Sequence, residues 1–250
     1  MKTLALVFAM LTGSILADQK PAPLTIWMVG DSTMSVKEVK AYPETGWGMP
    51  FSTFWDSTVN VENRAVNGRS TRTFLAENRW QPILDKIKPG DYVFIQFGHN
   101  DEVKEKTDRY TTPEQFKANL KKYVTEARDK KAIPVLFTPV SRRKFDSSGH
   151  AVETHAVYAE LVKQVGKENM VYVMDLDAKS KDLYEQFGPV NSKLLFNQLQ
   201  PGEHPNYPDG REDNTHFNEL GARKIAQLVL QEIRDQFPEL ATRIRVVKKK

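Results

Sequence analysis

No cysteine occurs anywhere in the 250-residue chain. Structural disulfides, thiolate zinc sites and a lipid-modified cysteine behind a leader are therefore excluded. A membrane-spanning run is missing as well: the apolar stretch near the N-terminus, residues 4–11, is less than half the length a spanning helix needs. Charge is nearly balanced. The net value is +4, and part of it sits in the terminal Lys248, Lys249 and Lys250, which gives little reason to expect a nucleic-acid partner. No His or Asp cluster has metal-ligand spacing, so no metal and no cofactor is expected. Internal repeats, low-complexity linkers and a G-x-S-x-G motif are also absent, and the last of these argues against an α/β-hydrolase fold.

What the N-terminus does have is the pattern of a secretory leader. Lys2 precedes the apolar core, Thr12, Gly13 and Ser14 follow it, and a cut after Ala17 is plausible from the residues around it. Residues 1–17 are thus expected to be a signal peptide and 18–250 a single domain, a length for which one α/β unit is the default. Export without disulfides suits a bacterial periplasm or the external medium. The mature chain is expected to act as a monomer with no membrane attachment.

Hydrophobic patterning predicts strands at 24–29, 59–66, 91–97, 133–138 and 170–175. The third is a near-continuous apolar run, as in a strand buried on both faces. Helices are predicted at 71–86, from Thr112 with Pro113 at its first position to about 131, at 155–167, at 178–187, and from near Asn218 to before Pro238. Residues 45–54, with Trp47, Phe51 and Phe54, read either as a helix packed on the sheet or as a cleft wall, and packing is the commoner fate of such aromatics. Residues 141–154 read as a polar surface loop, and 197–213, rich in Pro, Gly and Asn, as irregular chain. Five strands alternating with helices imply a parallel sheet covered on both faces, an α/β three-layer domain.

The organising stretch is LTIWMVGDSTMS, in which the first strand delivers Ser32 to the place where the chain must turn. Open parallel sheets put their active sites at such strand ends. A serine hydroxyl needs a base to take its proton and a third group to orient that base. Asp213 and His216, three residues apart, would share a face if they sat on one turn, as at the start of a helix. Acyl transfer also needs donors aimed at the developing oxyanion. The backbone N–H groups of Ser32 and Gly68 and the side-chain amide of Asn100, each beyond a predicted strand, are the candidates.

These four stretches, GDS with Ser32, the block at Gly68, G-x-N-D with Asn100, and D-x-x-H with Asp213 and His216, resemble the four blocks of the SGNH (GDSL-type) hydrolases. Within that superfamily GDSTM, NRAVNGRSTRTF, FGHND and DNTHFNELGA are similar to carbohydrate esterases of the rhamnogalacturonan acetylesterase type. The resemblance spans residues 24–237 and matches at every catalytic position. It implies a flavodoxin-like five-stranded sheet, ester hydrolysis without a metal, and release of acetate from a plant cell-wall polysaccharide, most specifically pectic rhamnogalacturonan.

A uronate-bearing polymer would call for cations near the site. Arg69 and Arg72, just after Gly68, are the expected substrate-binding residues, and Arg142, Arg143 and Lys144 are weaker candidates. His99 is expected to order its loop, His155 to be a surface histidine with a lesser chance of lining the cleft, and Asp101 with Glu102 to be solvated. His150 and His204 show no partner spacing. Two other functions remain open at this point: an esterase or lipase of different specificity, acting on acetylated xylan or on lipid esters, and a catalytically silent glycan-binding domain.

Overall fold

The computed structural model describes residues 21–246, so the expected signal peptide lies outside the described residues. Strand β1 (Leu24–Gly30) is the hub of the sheet, pairing in parallel with β2 (Val59–Asn63) on one side and β3 (Tyr92–Gln96) on the other. Strands β4 (Ile133–Phe137) and β5 (Tyr172–Met174) continue the sheet in the order β2-β1-β3-β4-β5, all parallel. This is the five-stranded α/β sheet that the sequence predicted.

Alternation along β1 builds two cores. Ile26 and Met28 point to one face, where they join α1 (Gly48–Phe51), α6 (Leu176–Asn191), α7 (Glu219–Gln236) and α8 (Pro238–Ala241). Trp27 and Val29 point to the other, with α2 (Thr71–Ala76), α3 (Gln81–Leu84), α4 (Pro113–Asp129) and α5 (Ala156–Asn169). Trp47 and Phe51 are fully buried in the first core, so residues 45–54 are packing rather than cleft wall. Thr112 and Gln115 close a capping box at the start of α4, with Pro113 in its first turn.

Several element boundaries differ from the expectation. The helix predicted over 71–86 is two, α2 and α3, because Asn78 takes a left-handed conformation (φ 53) that ends the first, and Pro82, without an N–H, fits only the first turn of the second. Strand β2 stops at Asn63, whose side chain turns back to Met34 O and Ala65 N. Strand β5 starts only at Tyr172, since Met170 is the left-handed C-cap of α5. Helix α6 begins ahead of the predicted position because Asp175 caps Ala178 N, and it continues through a kink at Gly188.

The largest correction concerns 197–213. Its ends form an antiparallel pair, β6 (Phe196–Leu199) with β7 (Arg211–Phe217), and the irregular chain is confined to the tip between them. The pair is anchored by apolar contact that composition hides: Phe196 packs on Tyr184 at 5.2 Å and on Phe217 at 5.1 Å.

A single buried carboxylate fastens the start of the sheet. Asp91 accepts from Thr25 N at 2.8 Å, from Trp27 Nε1 at 3.0 Å and from Lys88 N at 2.9 Å. Removing it strands three donors, so Asp91→Ala is expected to lower the unfolding free energy by about 3 kcal/mol. Urea denaturation would show this as a lower midpoint with an unchanged slope.

Candidate active site

Helix α1 packs on one face of the sheet and α4 on the other, so the chain leaves β1 and β3 in opposite directions. A crevice opens at such a switch point, beyond the carboxyl ends of the strands. Ser32 enters it from β1, on a tight turn in which Asp31 O accepts from Met34 N and Ser35 N, and the Asp31 carboxylate holds Thr33 N and Thr33 Oγ1.

The Ser32 hydroxyl lies 2.9 Å from His216 Nε2, and His216 Nδ1 lies 2.8 Å from Asp213 Oδ2. A carboxylate can only accept, so Nδ1 carries the proton and Nε2 faces the serine as an acceptor. Asp213 and His216 do not share a helical turn: they lie on β7, and α7 starts beyond them, capped by Asn218. What brings them together is the carboxylate itself, whose Oδ1 captures Thr215 N at 2.7 Å and His216 N at 2.9 Å and curls the strand. Burial pushes the Asp213 carboxyl up, but the bond from His216, the imidazole charge and the two N–H donors outweigh it and hold it well below the usual carboxylate range. Asp213 therefore stays ionised beside the base.

Asn100 follows β3 and donates to Arg69 O at 3.0 Å, tying its loop to the turn that carries Gly68. Gly68 has φ +74, a conformation glycine adopts without strain. Ser32, Asn100, Asp213 and His216 line one cavity of about 1250 Å³. Gly68 is outside that lining but joined to it through Asn100 and Arg69.

The expected substrate-binding arginines are not in the cavity. Arg69 is paired with Glu77 at 2.9 Å, and Arg72 donates to Thr107 O at 2.8 Å. The cavity has other cations, Arg142 on its wall and Lys104 and Lys106 at its rim. Arg142 bridges two catalytic loops: it donates to Thr215 Oγ1 at 2.9 Å, to Glu102 Oε1 at 3.1 Å and to His99 O at 3.3 Å. Arg143 donates to Asn214 Oδ1 on the same strand and to Ser192 Oγ beyond α6, each at 2.9 Å. The polar 141–154 loop is thus a structural wall of the site.

Three expectations fail here for one reason, that their partners are remote in sequence. His155 is buried rather than on the surface, lines the cavity and meets Glu102 Oε2 at 2.9 Å. Glu102 is committed to Arg142 and His155, not solvated. Asp101 is fully buried and accepts from Thr71 N and Thr71 Oγ1. Burial pushes its carboxyl up to about 7 against those bonds. His99 packs edge-on to His155 with ring centroids 4.4 Å apart, and burial, then the His155 charge, push it well below the ordinary histidine range. Lys37, which no local pattern marks, has its ammonium against Ser32 O. His150 faces Glu185 at the surface, away from the cavity lining. Among the described residues, no group of His, Asp and Glu forms a metal cage.

The chain is similar to known proteins over most of its length. Residues 28–224 match the model of the GDSL-like Lipase/Acylhydrolase family. The rhamnogalacturonan acetylesterase RhgT of Bacillus subtilis is 46% identical over 213 residues, covering 85% of this chain and 90% of that protein. The probable rhamnogalacturonan acetylesterase YesY of the same organism is 36% identical over 84% of this chain and 92% of its own length. Among solved structures, the Bacillus subtilis protein YxiM superposes with TM-score 0.73 at 28% identity, over 88% of this chain and 59% of that one.

Ser32→Ala is expected to abolish p-nitrophenyl acetate hydrolysis with no loss of fold. Asn100→Ala should lower kcat by about 10²-fold or more with little change in KM, as for loss of an oxyanion donor. A KM effect alone would move Asn100 to substrate binding. Asp101 gives a pH test. Because its folded-state pKa is raised, its stabilising contribution is complete below the ordinary carboxylate range and is lost as pH rises through about 7. The melting temperature of Asp101→Asn relative to the unsubstituted protein should therefore climb between about pH 4 and pH 8.

Proposed function

Because the chain belongs to the GDSL-like lipase/acylhydrolase family and is a carboxylic ester hydrolase, we propose that it removes O-acetyl groups from a plant cell-wall polysaccharide, pectic rhamnogalacturonan, after export. The observation that carries this reading is the unbroken relay from Ser32 through His216 to Asp213, opening with Asn100 into one cavity. Its likeness to RhgT and YesY supports the acetyl ester and the polymer, and the leader-like N-terminus supports export.

Ser32 Oγ attacks the acetyl carbonyl carbon while His216 Nε2 takes its proton, and Asp213 steadies the imidazolium that results. The carbonyl oxygen, now negative, falls among the N–H groups of Ser32 and Gly68 and the Asn100 amide. Collapse expels the sugar oxygen, which receives the proton from His216, and leaves Ser32 acetylated. A water molecule deprotonated by His216 attacks the acetyl-serine, and release of acetate restores the hydroxyl.

The cavity walls fit a polar substrate. Glu102, Glu105, Lys104 and Lys106 surround the volume beyond Ser32, and a long acyl chain lying there would desolvate charges without pairing them. That disfavours a lipase, and the complete relay disfavours a silent binding domain. One feature favours a second reading, a neutral glycan such as acetylated xylan: carboxylates outnumber cations in the lining, with Glu102, Glu105, Glu153, Glu212 and Asp213 against Lys104, Lys106 and Arg142. Since Arg69 and Arg72 are turned to protein partners, recognition of a uronate carboxylate passes to the exposed rim lysines.

Acetate release should be faster from acetylated rhamnogalacturonan than from acetylated xylan, with kcat/KM on the former falling as salt is added. Lys104→Gln with Lys106→Gln should lower it by about fivefold, since exposed ion pairs contribute up to about 1 kcal/mol each. p-Nitrophenyl acetate, which has no carboxylate, is the control substrate. Replacement of Arg142 should slow both substrates, because its contacts hold Thr215 beside the catalytic histidine. Equal rates on the two polymers with no salt dependence would select the neutral glycan.

A further inference from the structure

Behind Ser32, on the side away from the cavity, one buried ammonium meets three acceptors. The Lys37 side chain has 0% exposure, and its Nζ lies 2.7 Å from Glu44 Oε1. It also lies 2.6 Å from Ser32 O and 2.8 Å from Asn67 Oδ1. An ammonium has three N–H donors and no acceptor, so this set uses all of them. It also fixes the orientation of the Asn67 amide, whose oxygen, not nitrogen, must face the lysine. The same oxygen accepts from Ser35 Oγ at 2.6 Å.

Stability alone is a poor reason for this arrangement. Burying an ion pair costs several kcal/mol, and well-packed apolar residues of similar volume commonly stabilise a fold as well or better. Burial pushes the Lys37 pKa down while Glu44, and then Asp31, act to hold it up. What the charge does achieve is a link between two turns. Ser32 O belongs to the residue whose N–H and hydroxyl are assigned the chemistry, and Asn67 immediately precedes Gly68, which takes φ +74. Apart from this link, the two turns meet through Ser35 and through the backbone bond from Val66 N to Gly30 O at 2.9 Å.

We propose that Lys37, held in place by Glu44, is a positioning residue for the oxyanion hole, locking the turns of Ser32 and Gly68 so that their N–H groups converge on the developing oxyanion. The proposal rests on the esterase reading above. It separates from mere structural support because a misplacement of about 1 Å in such a site costs on the order of 10²-fold in rate without weakening ground-state binding.

The test compares Lys37→Met, Lys37→Met/Glu44→Met and Asn67→Ala in the full chain, by p-nitrophenyl acetate kinetics and thermal melting. Lys37→Met alone should lose both melting temperature and kcat, since it leaves the Glu44 carboxylate unpaired. The double variant should recover the melting temperature and keep kcat about 10- to 100-fold down, with KM within twofold. Wild-type kcat in a stably folded double variant would overturn the proposal. Should the lysine variants fail to fold, Asn67→Ala leaves the buried ion pair intact while removing both side-chain links, from Lys37 and from Ser35, that end on its Oδ1. It should lower kcat by about tenfold at constant KM, and unchanged kcat there would overturn the proposal equally. Wild-type turnover that vanishes in Ser32→Ala establishes the esterase reading separately, and no wild-type turnover would overturn both.

Discussion

Chain leaving β1 is carried to one face of the sheet and chain leaving β3 to the other, and the gap between those two departures is the constraint on which the site depends. The gap admits side chains from loops that never pair as strands. Ser32 arrives there two residues past the last ladder pair on β1 and Asn100 four residues past it on β3. Parallel pairing fixes the relative height of those strand ends, Gly30 lying opposite Gln96. The loops that carry Ser32 and Asn100 thus leave the sheet at one level, set by hydrogen bonds formed several residues away.

Around that gap, carboxylates of the same chemistry are driven to opposite states. Asp213, given N–H donors from Thr215, His216 and Arg211, is held ionised, while Asp101, equally polar but fully buried, holds its proton up to about 7 against the bonds from Thr71 and Thr111. The first serves the base and the second ties α2 to the loop of Asn100. Glu102 takes a third course and joins Arg142 to His155. The polar interior next to the cleft is therefore a set of paired groups that brace the loops, and this is why arginines expected to reach for substrate turn out to hold protein.

The sheet was legible in the sequence because its strands are local apolar or alternating runs between turn residues; Ser32, Gly68 and Asn100 were legible because each follows such a run, and Asp213 and His216 by their three-residue spacing. Local pattern could not mark β6 and β7, since their pairing is anchored by Phe196, held between Tyr184 and Phe217, two aromatics that the sequence sets on either side of it with no local period. The spacing of Asp213 and His216 predicted proximity correctly but by the wrong backbone, as a side-chain oxygen catching two N–H groups leaves the same three-residue signature as a helical turn. Lys37, His155 and Asp101 were illegible for a common reason. Each has a partner on a distant segment, Asn67, Glu102 and Thr71 in turn, 30 to 53 residues away, and the nearer partners of Lys37, Ser32 and Glu44, lie in a stretch with no helical or strand period that would mark it.

Strand β7 carries the acid and base of the relay, yet it belongs to a separate two-stranded pair and not to the main sheet. Its attachment is made of side-chain packing at Phe217, the bond from Thr45 N to Phe217 O at 2.8 Å and the Arg143 contacts to Asn214. Nucleophile and base are thus mounted on two units that each complete their own backbone pairing, and only docking of one on the other brings Ser32 within reach of His216. Turnover in this molecule is consequently a gauge of tertiary assembly: a chain whose central sheet is fully formed but whose hairpin has swung away would look native by secondary structure and be chemically silent.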